Sequence, residues 1–338
     1  MQNTEPKTVL VLGARGRFGL AAARAFCAAG WRVVAQIRPG ATVPYCAGAL
    51  WLPVAAEDTA ALVQAARSAA VVVHALNPTY TQWETQAMPL LDAGLRVARQ
   101  LEALLMLPGN VYNFGSGMPA VLSEHTPQQA DTRKGKIRMA MEQHMQQVAM
   151  AGGVRGVVIR AGDFFGCGTG SWFDEVLAKD ITRGKMTYPG GLDLPTAWAY
   201  LPDLAAAFVR AAEQLLKAPG RFAPFETFHF KGYSLTGKDW AEHLADVAWD
   251  HGWLEAGGRL KIGSLPWAMI WAGALLVPMW RELAEMRYLW QTPHGLAGDK
   301  LAALIGPEPH AQLSVAVQQS LQELDTTARL TCNMPSWA

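Results

Sequence analysis

Residues 8–19 read Thr8-Val-Leu-Val-Leu12-Gly13-Ala-Arg15-Gly16-Arg17-Phe18-Gly19, and this stretch decides the fold. An apolar run that ends in three glycines spaced three apart, then enters the Ala-rich segment Leu20 to Phe26, predicts a buried strand, a tight turn and a helix. The glycines allow the turn and let the backbone approach a pyrophosphate. The helix N-terminus offers that anion unpaired N–H groups and a positive dipole end. Glycine turns also join strands to helices with no ligand; here the flanking elements and the position near the start of the chain favour a dinucleotide cradle.

The 338 residues, 51% of them hydrophobic, are enough for one large domain or two intimately joined ones. A formal charge of +1 gives no general electrostatic reason to expect nucleic acid or an anionic membrane as partner. Cys27, Cys46, Cys167 and Cys332 are scattered without metal-ligand spacing, and the polar stretch Met1 to Lys7 carries no secretory signal, so a reduced, cytoplasmic compartment is expected. The histidines form no local metal set, and His74, at the end of an apolar strand, reads as a packed side chain. Cys167 sits in a Gly-rich loop with nothing to mark it as a nucleophile.

One segment stands apart. From Ile262 to Trp280 there are 19 residues without a charge, close to the length of a membrane span. Pro266 and Pro278 cut the uninterrupted helix to roughly a dozen residues. A buried or pocket-forming helix is expected in preference to membrane contact through 262–280.

Strands are predicted at Thr8–Leu12, Arg32–Ile37, Ala49–Pro53, Val71–Ala75, Ala103–Leu107 and Val154–Arg160, with helices at Thr59–Ser68, Pro89–Gln100 and Arg133–Met150 between them. Thr81 and Glu84 have the spacing of a capping box before Pro89. Near-continuous apolar strands alternating with helices indicate a doubly wound parallel α/β sheet. After Gly166 glycines and prolines cluster, and a helix follows from about Pro202 to Leu216. The last hundred residues read as mainly helical and hold eight of the thirteen tryptophans. That enrichment suits core packing, or more sharply a hydrophobic substrate pocket.

The second strand, Trp31 to Ile37 followed by Arg38-Pro39, lacks the terminal carboxylate that would hold the 2′-hydroxyl of NAD. Arg38 stands there instead, and Arg15 in the glycine turn can reach the same place. These arginines could be solvated surface charges. Together with the absent acid they favour NADP(H) over NAD(H).

With Gly13-x-x-Gly16-x-x-Gly19, Val71-Val-Val-His74-Ala-Leu76-Asn77, Glu124-x-Thr126-Pro127, Val158-Ile-Arg160-x-x-x-Phe164-Phe-Gly166 and Tyr200-Leu-Pro-Asp203-Leu-Ala in order, the chain resembles the NAD-dependent epimerase/dehydratase branch of the extended short-chain dehydrogenase/reductase superfamily over roughly residues 7–235. The resemblance implies a Rossmann-type sheet over 1–165, completed by about 196–235. Segments 166–195 and 236–338 would then form a smaller, mainly helical substrate-binding portion.

Members of that family carry Tyr-Gly-x-Ser-Lys with a glutamate four residues on, the tyrosine serving as acid/base and the lysine binding the nicotinamide ribose. Here the helix has Lys134-Gly135-Lys-Ile-Arg138 and Glu142, which puts Lys134 at the tyrosine position and Arg138 at the lysine position. A rival register pairing Thr132 with Lys136 loses both anchors. The family's serine position falls on Asn110, which can orient a carbonyl but has no hydroxyl. The aspartate that often contacts adenine is missing near Ala55.

A lysine desolvated in an apolar cleft beside Arg138 could still act as acid/base; the plainer reading of Lys134, Arg138 and Glu142 is a solvated charge ladder. Ile137, Met141, Met145 and Val148 form a separate stripe toward the sheet. Tyr112 is a second proton-donor candidate.

The resemblance thus implies a dinucleotide-binding protein that transfers hydride to or from a carbonyl or alcohol carbon. Gly13, Arg15, Gly16, Arg17, Phe18, Gly19 and Arg38 would hold the cofactor, with Leu76 and Asn77 near its ribose and Lys134 also in contact. Lys134, Arg138, Asn110 and Tyr112 would surround a small-molecule substrate, and the aromatic enrichment suggests a hydrophobic one. Because the usual tyrosine is absent, a catalytically silent dinucleotide sensor is the rival expectation. Pairing through the active-site helices, as the family often does, would give a homodimer.

Overall fold

The computed structural model describes residues 6–255 and 257–332; Met1 to Glu5 of the polar start, and Trp337, lie outside them. Seven strands, β1 (Thr8–Leu12), β2 (Arg32–Ile37), β3 (Ala49–Pro53), β4 (Ala69–His74), β5 (Leu104–Gly109), β7 (Arg155–Arg160) and β11 (Phe225–His229), form the main sheet in the order β11-β7-β5-β4-β1-β2-β3. The two-residue β6 (Val121–Leu122) lies outside it. Every pairing in the main sheet is parallel, so each connection must cross a face. Helices α1 (Arg17–Ala28), α2 (Thr59–Ala65), α3 (Trp83–Gln100), α4 (Arg133–Met150) and α5 (Leu201–Lys217) lie in five of the six connections, and residues 38–48 join β2 to β3 without a helix.

The two faces follow the two-residue alternation of each strand. Val9, Val11, Val33 and Ala35 join the α1 and α5 side chains in one core. Leu10, Leu12 and Val34 join Leu62, Leu91, Met141 and Met145 of α2, α3 and α4 in the other. The stripe expected on α4 packs there. The doubly wound parallel sheet is as read from the sequence.

Beyond Asp163 the chain adds small sheets: β8 (Asp163–Phe165), β10 (Thr196–Tyr200) and β12 (Tyr233–Leu235) in one, and β9 (Lys185–Tyr188) with β13 (Lys261–Ser264) in another. Strand β14 (Gly295–Leu296) pairs with β6. Helices α6 (Gly237–Asp250), α7 (Trp267–Gly273), α8 (Pro278–Glu285) and α10 (Leu313–Cys332) complete the portion, whereas α9 (Asp299–Ile305) packs Leu301 and Ile305 into the α1–α5 core of the main sheet. Its core centres on Trp198, Trp240 and Trp290, with the Trp198 and Trp240 rings 4.8 Å apart at 71°. Those tryptophans are packing, as aromatic area usually is.

Two expectations need correction. Helix α3 begins at Trp83, before Pro89, and Thr81 with Glu84 forms no capping box; Gln82 is the N-cap and no side chain caps it. Pro89 is tolerated because it and Thr85, whose carbonyl would have accepted the missing N–H bond, both face solvent. The 262–280 segment is not one buried helix. Its prolines start two short helices, α7 and α8, and Leu275 and Leu276 between them are 93% and 87% exposed. The segment does border a groove, described below.

Candidate active site

The chain runs from β1 outward to β2 and β3 on one side, then returns to β4 and continues outward to β5, β7 and β11 on the other. The crevice beyond the carboxyl ends of β1 and β4 is therefore a topological switch point, where open α/β sheets bind ligands. The loops after these two strands touch. Gly13 has φ +75°, and a Cβ there would sit 2.9 Å from the Ala75 carbonyl carbon. A Cβ on Gly19 would meet the Gly13 oxygen at 2.3 Å. Only glycine fits at either position. Gly16 is the N-cap of α1, and no side chain occupies the N–H groups of the first turn, which leaves them for an anion. The backbone thus fits a dinucleotide diphosphate.

A residue not singled out from the sequence sets this turn. Gln36 is buried in β2; its Oε1 accepts a 2.8 Å bond from the Gly13 N–H and its Nε2 donates to the Val54 carbonyl at 2.7 Å. Arg15 and Arg38 are both exposed, and Arg15 Nη2 lies 3.4 Å from Thr42 Oγ1. Phe18 is buried against Phe208, with ring centroids 4.8 Å apart. Leu76 is half-buried and Asn77 exposed beyond β4. Arg17 turns away from Arg15: its Nη2 donates to the Phe164 and Gly166 carbonyls. Burial lowers its pKa, against the pull of Asp174, Cys167, Asp163 and Tyr80.

The catalytic candidates lie beyond β5 and along α4. Thr132 caps α4, its hydroxyl accepting from the Gly135 N–H, and this fixes the helix that carries Lys134 and Arg138. Lys134 is 1% exposed. Its ammonium bonds the Glu282 carboxylate and sits 2.9 Å from Glu285 Oε2, both on α8. It also lies 4.9 Å from the centre of the Tyr80 ring. Lys134 is therefore enclosed, with its charge already matched. Burial pushes the Glu282 carboxyl up, but hydrogen bonds from Lys134 and Arg133 outweigh that and hold it below its ordinary value.

Arg138, one turn further, stacks 4.8 Å over Trp83 and donates to the Pro108 carbonyl. Burial lowers its pKa, opposed by Tyr112, Glu142 and Tyr80. The phenol oxygens of Tyr80 and Tyr112 are 3.0 Å apart. Burial raises both phenols, Tyr112 the further. Asn110 accepts from the Tyr112 N–H at 3.0 Å, so its side-chain oxygen shapes the loop while its NH2 has no partner among the described residues.

Asp163 completes the group. It stands at an unspecified position of the Arg160 to Gly166 motif. Its carboxyl makes no hydrogen bond among the described residues, and it acts electrostatically on Tyr80, Tyr112 and Arg17. Burial pushes its pKa up to about 7, opposed by Arg17. A buried carboxyl whose pKa is raised, and which acts electrostatically on two phenols and the Arg17 guanidinium, marks a candidate functional site. Sequence offers no signal for it, because desolvation is a property of the assembled cleft.

Other motif residues turn out to be ties. Glu142 is not part of a ladder with Lys134 and Arg138; it is buried against Arg160, with Oε2 2.6 Å from Nη2. Arg160 Nη1 in turn lies 3.2 Å from Nε2 of His229, and Glu124 accepts from the His229 N–H. His74 is buried with Nε2 3.0 Å from the Leu90 carbonyl, the packed side chain the sequence suggests. Burial pushes the Cys167 thiol up to about 12, unlike a nucleophile. A groove of about 860 Å³ opens beside the start of α4, lined among others by Thr132, Arg133, Trp271, Leu275 and Tyr288.

The family model described as NAD dependent epimerase/dehydratase family matches residues 9–222. The chain belongs to this family. No curated protein sequence matches it. Among solved structures, UDP-glucose-4-epimerase from Stenotrophomonas maltophila, with bound NAD and formylated UDP-arabinopyranose, superposes with a TM-score of 0.73 at 16% identity, over 96% of this chain and 99% of that one. UDP-glucose 4-epimerase from Brucella ovis in complex with NAD gives 0.70 at 15% identity, over 93% and 97%. The Thermotoga maritima UDP-glucose 4-epimerase with UDP-glucose gives 0.72 at 14%, over 95% and 99%. At such identities these neighbours establish the epimerase fold over nearly the whole chain. Family membership makes a nicotinamide dinucleotide the cofactor class, and the crevice after β1 and β4 fits it.

Proposed function

We propose that this epimerase/dehydratase family protein binds NADP(H) and serves hydride transfer to or from a carbonyl or alcohol carbon of a small molecule. The bound nicotinamide would give or take the hydride at C4. The open first turn of α1 would hold the diphosphate, Asn77 would lie at the ribose, and Arg15 and Arg38 would take the 2′-phosphate. Two of the neighbours named above, the Stenotrophomonas and Brucella structures, hold NAD, so the choice of NADP(H) rests on these two arginines and the missing β2 acid.

The proton path is assigned to Tyr80, Tyr112 and Asp163. What carries this reading is the 3.0 Å phenol–phenol contact, with Arg138 and Asp163 both acting electrostatically on the pair. Arg138 stabilises a phenolate that forms, and Asp163 takes or returns the proton. Lys134, tied to two carboxylates, acts as a clamp.

Single-turnover oxidation of bound NADPH, followed by stopped flow across ketones and sugar nucleotides, tests this. Tyr112→Phe and Asp163→Asn are each expected to slow it about a hundredfold with NADPH affinity kept. Wild-type rates in both would remove these residues from the mechanism. The silent-sensor reading draws on the fully paired Lys134; tight NADPH binding with no turnover on any substrate would favour it.

A further inference from the structure

We infer that the α7–α8 hairpin is a docking element for the surface of an anionic phospholipid bilayer. Its tip is apolar and outward: Leu275 and Leu276 are almost fully exposed, Trp271 is 73% and Met269 55% exposed, and Val277 and Met279 lie open beside them. No charged residue interrupts positions 262–280. Single exposed apolar residues are ordinary, but six within eleven positions are not. The two helices have seven and eight residues, too short to span a bilayer, and no described helix is long and apolar enough to do so. They suit shallow insertion at the headgroup boundary, where tryptophan and leucine side chains partition.

Charge at the root of the hairpin selects the anionic surface. Lys185, Arg259, Lys261, Arg281 and Arg287 are exposed there. The acids of α8 are used inward: Glu282 and Glu285 pair with Lys134 and Arg133, and Glu282 also lies 3.6 Å from Arg281. Asp131, at the groove, is held by Ser116. Glu255, before Arg259, is the exposed acid in this run of chain. In the β9–β13 pair, Lys185 stands directly opposite Lys261, and like charges in register repel. Anionic headgroups relieve that repulsion while the tip inserts. The inference holds whichever reaction the cleft performs.

The test is flotation of the full chain with vesicles of phosphatidylcholine, with and without about one-third phosphatidylglycerol. Binding to the anionic vesicles is expected, weaker to the neutral ones and reduced by high salt. Leu275→Asp with Leu276→Asp should cut it at least about tenfold with an unchanged circular-dichroism melt, since both sites are exposed. Lys185→Ser with Lys261→Ser should weaken anionic binding and leave any neutral binding intact. No flotation, or flotation indifferent to the tip substitutions, overturns the proposal. So does a tip that instead mediates self-association, seen as a dimer in sedimentation that the same aspartates dissociate while vesicles stay unbound.

Discussion

Lys134 on α4 and Glu285 on α8 face each other at 2.9 Å, so the helix at the heart of the cleft is tied to the C-terminal portion by a cation that water barely reaches. Glu282 completes the tie. Removing Lys134 leaves the two carboxylates with the half-exposed Arg133 as partner; breaking a buried pair costs about 3–5 kcal/mol, while replacing a whole buried set with apolar groups is often neutral. Lys134→Met is therefore expected to lower urea stability by that amount, and Lys134→Met with Glu282→Leu and Glu285→Leu to recover most of it. A Lys134→Met cost below about 1 kcal/mol would mean the tie has no structural role.

Asp163 and His229 should pull stability in opposite directions as pH changes. The Asp163 carboxyl is raised to about 7 by burial. Between about pH 4 and 7 the native state then holds a proton the unfolded chain has lost, and stability falls as pH rises. His229 is lowered to about 4 by burial and by Arg160. Its contribution is complete above the unfolded value near 6.5 and is lost as pH falls toward 4. The wild-type profile should be flattened by this opposition. Asp163→Asn should uncover a stability that climbs from pH 4.5 to 6.5, read by urea unfolding at each pH; an unaltered profile would remove Asp163 as a titrating group.

The difference between what was legible and what was not follows from the range of the interactions. Strand β1, the glycine turn and α1 are local: apolar run, glycine spacing and helix formers sit within twenty residues, and β1, β2 and β3 fall where the periodicity places them. Register against Gly135 and Glu142 points to Lys134 and Arg138. It does not point to their partners, because Glu282 lies 148 residues away from Lys134. Glu142 shows the same limit. Its spacing suggests a ladder along one helix, whereas its charge is spent across the fold on Arg160 of β7. Hydropathy read 262–280 as buried; the prolines break it into helices too short to fold back over their own apolar residues.

Cofactor choice is measurable at two exposed residues. If Arg15 and Arg38 grip a 2′-phosphate, Arg15→Ala with Arg38→Ala should weaken NADPH about ten- to a hundredfold, the worth of charge-assisted hydrogen bonds. NADH affinity should be unchanged. Fluorescence titration with both coenzymes reads this directly. Equal loss for the two, or tighter NADH binding in the wild type, would return the arginines to the solvated surface.

Gln36 gives the last prediction. One amide side chain serves two strand ends, accepting from Gly13 and donating to Val54, and it is 1% exposed. Gln36→Leu keeps the volume but orphans a buried N–H and a buried carbonyl, each worth about 1–3 kcal/mol. The expected outcome is a stability loss of about 2–4 kcal/mol together with weaker binding of either coenzyme, because the turn that presents the α1 N-terminus is no longer pinned. Gln36→Glu separates the two bonds: its carboxylate can still accept from Gly13 but confronts the Val54 oxygen. It should therefore be tolerated only when protonated, and its stability deficit relative to wild type should grow as pH rises above about 5. A Gln36→Glu protein as stable as wild type at pH 8 would show that the Val54 bond contributes nothing to the turn.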